Sequence, residues 1–204
     1  MNMMKSRLIT NKRERIIFMS NASIISNCLI AVGKLAMGIY NNSIFLCINA
    51  FYNLGMAFAK IVVLYHYKND DQKNVCDCYK QVGIILICTA VTYIFYSCRL
   101  FISNEITNYS MFSGIAIATV TFFEIGFAMY GILTNTKEQA PIVNSIKIIN
   151  LCSSLISLVL TQTALLSFNS AVEASQYNGI LALIFGSSVI FLGIYMVKYS
   201  KKRY

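Results

Sequence analysis

Six long apolar stretches occupy most of this 204-residue chain and alternate with short polar segments. A helix needs roughly 20 apolar residues to cross a bilayer core about 30 Å thick. The stretches lie at Ile16–Tyr40, Ile44–Tyr67, Tyr79–Ile102, Tyr109–Leu133, Asn144–Phe168 and Gly179–Tyr199. The alternating strands of a membrane barrel are absent from the sequence. The pattern therefore predicts an all-α, six-helix transmembrane bundle over residues 16–199, with an N-terminal tail at 1–15 and a C-terminal tail at 200–204.

The positive side chains lie mostly in the two tails and in every second gap between the stretches. The gap after the second stretch carries Lys68, Lys73 and Lys80, and the gap after the fourth carries Lys137. The gaps without Lys or Arg are 41–43, 103–108 and 169–178. Because cytoplasmic loops hold the excess of Lys and Arg, we predict a multi-pass plasma-membrane protein with both termini cytoplasmic. The net charge of +9 is then explained by the Lys and Arg residues that orient the protein in the lipid bilayer, and it implies no nucleic-acid partner.

The cysteine and histidine pattern gives little sign of metal or catalytic chemistry. Cys76 and Cys78 lie in a predicted cytoplasmic loop after His66, where a C-x-C pair could hold a soft metal. A C-x-C pair without a second pair is weak evidence, so we favour a solvated loop with no metal. Glycine-rich phosphate-binding patterns are absent from the sequence, and no paired catalytic groups stand out. We predict a protein that is not an enzyme and needs no cofactor.

The segment from Ala31 to Ala59, AVGKLAMGIYNNSIFLCINAFYNLGMAFA, resembles the first two helices of the cation diffusion facilitator transporters. In that family a Gly-Lys pair in the first helix precedes S-L-A-L-L-A-D-A-L-H-S-L-S-D. Gly33 and Lys34 match the pair, and the residues 43–56 align with the second element without a gap. The residues 150–155, N-L-C-S-S-L, are similar to the family's D-x-L-S-S-L. The resemblance implies a cation-efflux transmembrane domain, and the family's cytoplasmic C-terminal domain has no counterpart before Tyr204.

The same resemblance implies where a metal site would lie. The family binds zinc with two residues of the second helix and two of the fifth, each pair four residues apart. The matching positions here are Tyr52, Met56, Ile146 and Asn150. These side chains bring no carboxylate or imidazole to a dication, so we expect them not to bind zinc tightly. Asn49, where the family often has Asp, has also lost its charge.

Several polar residues fall inside the predicted spans. Glu124 is the one carboxylate well inside a span, and an ionisable group there suggests a functional site. The alternative is a buried ion pair, for which Lys34 is an available partner. Asn49 and Asn53 could line a polar cavity with Asn150, or could form hydrogen bonds between helices. Lys60 lies nearer a span end, where it can snorkel to the head groups.

Small residues inside the spans permit close contact between helices. The pairs are Gly33 and Gly38, Gly126 and Gly131, and Gly186 and Gly193. Together these features favour a divergent transporter whose usual zinc site is lost or changed, with a cation as the suggested substrate class. The alternative is a non-transporting accessory or assembly subunit that keeps the scaffold. A homodimer or a membrane partner subunit would suit either reading.

Overall fold

Six α-helices make up the computed structural model, which describes residues 2–68, 72–102, 110–133, 141–166 and 174–202. They are α1 (Asn2–Tyr40), α2 (Ile44–Lys68), α3 (Gln72–Ile102), α4 (Met111–Leu133), α5 (Pro141–Leu166) and α6 (Ala174–Lys202). All six are long and apolar enough to cross a membrane, and the described residues contain no strand. The predicted all-α, six-helix transmembrane bundle is therefore confirmed.

Several helices extend beyond the predicted spans, α1 and α3 among them. The residues 2–15 continue α1 towards the N-terminus, and α3 begins at Gln72 instead of Tyr79. The polar residues at these ends are compatible with helix. The apolar pattern shows which residues lie within the membrane, but a helix can continue beyond them into water. Cys76 and Cys78 therefore lie on α3, and the predicted solvated loop at this place is wrong.

A three-residue turn joins α1 to α2 and fixes the two helices as an antiparallel pair. The Ser43 N–H donates to the Gly38 carbonyl at 2.8 Å, and the Asn42 N–H donates to the Ile39 carbonyl at 3.3 Å. Asn42 has a positive φ of 50°, as a Schellman C-cap requires. The Ser43 hydroxyl then accepts the Leu46 N–H at 3.3 Å and caps the start of α2.

The helices α2 and α5 form the centre of the bundle. More than half of the residues in their apolar stretches are buried, whereas a third or fewer are buried in the other four helices. α1 packs mainly on α2, α4 packs mainly on α5, and α3 and α6 make the most extensive helix pair. Large apolar side chains such as Leu29, Phe122 and Phe191 point away from the bundle. In a bilayer these side chains face lipid, which is a suitable solvent for them.

Candidate functional site

Lys34 lies at the centre of a polar cluster inside the bundle. Its ammonium donates to Asn49 Oδ1 on α2 and to Ser157 Oγ on α5, each at 2.9 Å. The Glu124 carboxylate on α4 lies 3.8 Å away, measured from Nζ to Oε2. This separation is too long for a hydrogen bond but short enough for an ion pair. Both charged side chains are almost fully buried, with 5% and 7% of their surface exposed. The structure thus brings together residues from α1, α2, α4 and α5.

Ser153 extends this cluster by one turn of α5. Its hydroxyl lies 3.4 Å from Glu124 Oε1 and 3.4 Å from Asn53 Oδ1. A hydroxyl has one proton, so it can serve only one of these acceptors at a time. The amide nitrogens of Asn49 and Asn53 are buried and find no acceptor among the described residues. The cluster therefore contains hydrogen-bond donors without acceptors inside the apolar part of the bundle.

Further polar contacts continue the cluster towards both ends of the same four helices. On the side of the α1–α2 turn, Thr161 donates to Thr121 at 2.7 Å, and Asn41 contacts Ser113 at 3.4 Å. On the opposite side, the Lys60 ammonium donates to Ser23 Oγ at 2.8 Å. We call this set the polar track. Its residues are Ser20, Ser23, Asn27, Lys34 and Asn41 of α1 and its turn, Asn49, Asn53 and Lys60 of α2, Ser113, Thr121 and Glu124 of α4, and Ser153, Ser157 and Thr161 of α5.

Lys60 does not snorkel as the sequence suggested. It is only 2% exposed, and its ammonium ends at Ser23 inside the bundle. The reason is its position on the face of α2 that packs on α1, seven residues beyond Asn53 and therefore on nearly the same side of the helix. Sequence reasoning also missed Ser23, Asn27, Ser153 and Ser157. The signal was the seven-residue spacing of Ser20, Asn27, Lys34 and Asn41, which marks a single polar stripe on α1.

The four positions that match the family's zinc ligands have contacts of other kinds. The Tyr52 hydroxyl donates to the Cys152 carbonyl at 3.2 Å, and Met56 is fully buried in the apolar core. Ile146 packs against the same core, and Asn150 is partly buried on α5. The structure therefore brings Asn49 and Asn53 to the polar cluster, while Tyr52 and Met56 serve packing.

Cys76 and Cys78 lie on different faces of α3. Cys78 is fully buried in the apolar core and Cys76 is half-buried, because residues two apart on a helix point in nearly opposite directions. His66 contacts the Val62 carbonyl at 2.9 Å within its own helix. Within the described residues, no group of three or more His, Cys, Asp or Glu side chains could hold a metal ion.

Comparisons with protein-family models, with curated proteins and with solved structures find no match for this chain.

Proposed function

We propose that this multi-pass membrane protein is a transporter and that the polar track is its substrate pathway. The observation that carries the proposal is the buried Lys34–Glu124 pair, which joins α1 to α4 beside the unpartnered amides of Asn49 and Asn53. Charged groups inside a membrane are costly and commonly line substrate or ion pathways. A purely structural role would be served by satisfied hydrogen bonds between helices. The unused donors favour a pathway.

We propose that the protein is a divergent relative of the cation-efflux transporters that it resembles. The order of helices and the Gly33-Lys34 pair agree with it, while the zinc site is replaced. A dication entering the cluster would meet the Lys34 ammonium beside the carboxylate that should attract it. Coulomb repulsion in a poorly screened interior disfavours such an ion. The protein is then a transporter with a changed substrate site.

The orientation and location belong to the same proposal. Six helices that each cross the membrane put the segment before the first span and the segment after the last span on the same side. The distribution of Lys and Arg supports the cytoplasmic side of a plasma membrane.

The proposal is tested by ion flux in proteoliposomes that contain the purified protein. Protons, alkali cations, divalent metals and small anions form the panel, and protein-free liposomes give the baseline. We expect flux of at least one ion class, and we expect its loss in the double variant Lys34→Met/Glu124→Gln, which removes both charges together. Glu14→Gln changes an exposed carboxylate of α1 and serves as the matched control. A folded protein that moves none of these ions would reject the proposal.

A second candidate function is that of a membrane assembly subunit, and two glycines favour it. The positions of Gly33 on α1 and Gly126 on α4 are exposed, and a Cβ at either would meet no atom within 4 Å. The sequence analysis assigned these glycines to packing, but no described helix packs against them. Small residues on a lipid-facing surface allow a partner helix to approach closely. Cross-linking of Gly33→Cys to another chain in native membranes, without transport in liposomes, would support this function.

A further inference from the structure

We propose that the ligand of the polar track is a small monovalent anion, held by the Lys60 ammonium and by unpartnered amide groups of α1 and α2. The inference rests on the proposed function in taking the polar track as the ligand pathway. The proposed ligand is an anion, whereas the family resemblance suggests a cation. Two independent observations carry it, the balance of buried charge and the balance of hydrogen-bond donors and acceptors.

The polar track contains two buried ammonium groups and one buried carboxylate. Lys34 and Glu124 form a close pair, and this leaves Lys60. Its ammonium has one hydrogen-bond acceptor, Ser23 Oγ, while the Glu124 carboxylate makes its ion pair with Lys34. Buried charges are normally paired. The track therefore has one positive charge in excess, and an anion of a single charge would neutralise it.

The hydrogen bonds show a similar imbalance, since three amide nitrogens of the track lack a partner against one oxygen, Glu124 Oε2. The side-chain nitrogens of Asn27, Asn49 and Asn53 are buried, and none reaches an acceptor within the part of the chain that the structure describes. The orientation of the Asn49 amide is fixed, because its oxygen accepts from the Lys34 ammonium, which can only donate. The Lys60 ammonium has two further N–H groups beyond its bond to Ser23. A buried polar group without a partner is unfavourable, so a ligand that supplies acceptors suits this space.

The positions of the donors suit a small ion. Ser23 and Asn27 are one helical turn apart on α1 and lie on one face. Asn53 and Lys60 are two turns apart on the facing side of α2, and the Lys60–Ser23 bond shows that the two faces meet. Because these helices pack directly on each other, Ser23, Asn27 and Lys60 lie at one helix–helix contact. An ion of the size of chloride or nitrate fits this arrangement better than an extended organic anion.

Binding is tested first, without any demand for transport. The thermal unfolding of purified full-length protein in detergent is followed while sodium gluconate is replaced by sodium chloride or sodium nitrate at constant ionic strength. We expect a saturable rise in Tm with chloride or nitrate. Lys60→Met should weaken the apparent affinity by at least about tenfold, because a charge-assisted hydrogen bond is lost. Lys80→Met, at an exposed site on α3, should leave the affinity unchanged.

Three results would overturn the inference. They are no saturable effect of either anion on the wild-type protein, equal anion stabilisation in Lys60→Met, and saturable stabilisation by sodium or zinc gluconate instead. The wild-type titration stands by itself if Lys60→Met does not fold.

Flux separates this inference from the proposed function. Proteoliposomes that enclose a halide-sensitive fluorophore report the entry of chloride. Anion stabilisation without flux of any ion would support the anion site and reject transport. Cation flux without anion stabilisation would support transport and reject the anion site. Chloride or nitrate flux that Lys60→Met abolishes and Lys80→Met preserves would support both.

Discussion

Lys34 is the residue on which the buried polar groups converge. A lysine inside a membrane is unfavourable unless its charge is compensated. Here one carboxylate, one amide oxygen and one hydroxyl surround the ammonium. This arrangement places an ammonium group at the centre of the buried polar cluster. The charge on Lys34 therefore decides which ions the cluster can accept.

Glu124→Gln is expected to lower the stability of the protein in detergent. The substitution leaves the Lys34 charge buried without its counter-ion, and removing one partner of a buried pair costs about 3–5 kcal/mol. Lys34→Met/Glu124→Gln should recover much of this loss, because both charges are then absent. Unfolding curves for the single and double variants measure the effect, with Glu14→Gln as the exposed control. A single variant as stable as the wild type would contradict the pairing.

Zinc binding is expected to be weak at most. Tyr52 uses its hydroxyl in a bond to Cys152, Met56 is enclosed by the core, and the side chain of Ile146 has no donor atom. Isothermal calorimetry on purified protein should therefore detect no stoichiometric submicromolar zinc site. Such a site would contradict the prediction, and its persistence in Cys76→Ser/Cys78→Ser would exclude α3 as its source.

The backbones of α3 and α6 approach each other closely at two glycines. A Cβ on Gly193 would lie 2.9 Å from the Gly83 carbonyl oxygen, and a Cβ on Gly83 would lie 2.7 Å from the Gly193 carbonyl oxygen. Backbone oxygens cannot rotate away as a side chain can. Gly186 makes a similar approach to Ile94. The predicted packing role is thus confirmed for Gly186 and Gly193, and for Gly38, which lies against Cys47 of α2. No described atom lies near Gly33 or Gly126.

Gly83→Ala is expected to destabilise the protein by about 1–3 kcal/mol, because an added methyl group in a well-packed contact forces the helices apart. Gly126→Ala is the matched control on α4, where the added methyl group meets no atom. It should be neutral or stabilising by up to about 1 kcal/mol, since alanine favours helix more than glycine does. Denaturation in detergent measures both variants. Equal stabilities would show that the α3–α6 contact is looser than the structure indicates.

At the scale of the whole molecule, the orientation in the membrane can be tested directly. We expect single cysteines at Asn42, Asn108 or Gln176, in a background without the native cysteines, to react with a membrane-impermeant thiol reagent added to intact cells. Lys137→Cys should react only after the membrane is opened. The reason is the excess of Lys and Arg in the other gaps and tails. Protection of all three outer positions would reverse the assignment.

The sequence alone determined the number of helices and where each one crosses the membrane. These are properties of local composition, because about 20 consecutive apolar residues suffice to define a span. The sequence also identified Glu124 and Lys34 as exceptional, since a charge inside an apolar stretch is visible without a structure. It did not define the start of α3, where polar residues continue the helix outside the apolar stretch.

Only the tertiary structure decided which polar residues meet. The rotation of each helix and the choice of its neighbours bring Lys34 to Asn49, Ser157 and Glu124, residues that are far apart in sequence. The same packing buries Lys60 against Ser23, although its position near a span end would have allowed its ammonium to reach the head groups. It also buries Tyr52 and Met56 in the apolar core, although their positions match those of metal ligands in the family that the chain resembles. Serine and asparagine are common in membrane helices, and only their convergence on one side of four helices distinguishes a polar track from isolated hydrogen bonds.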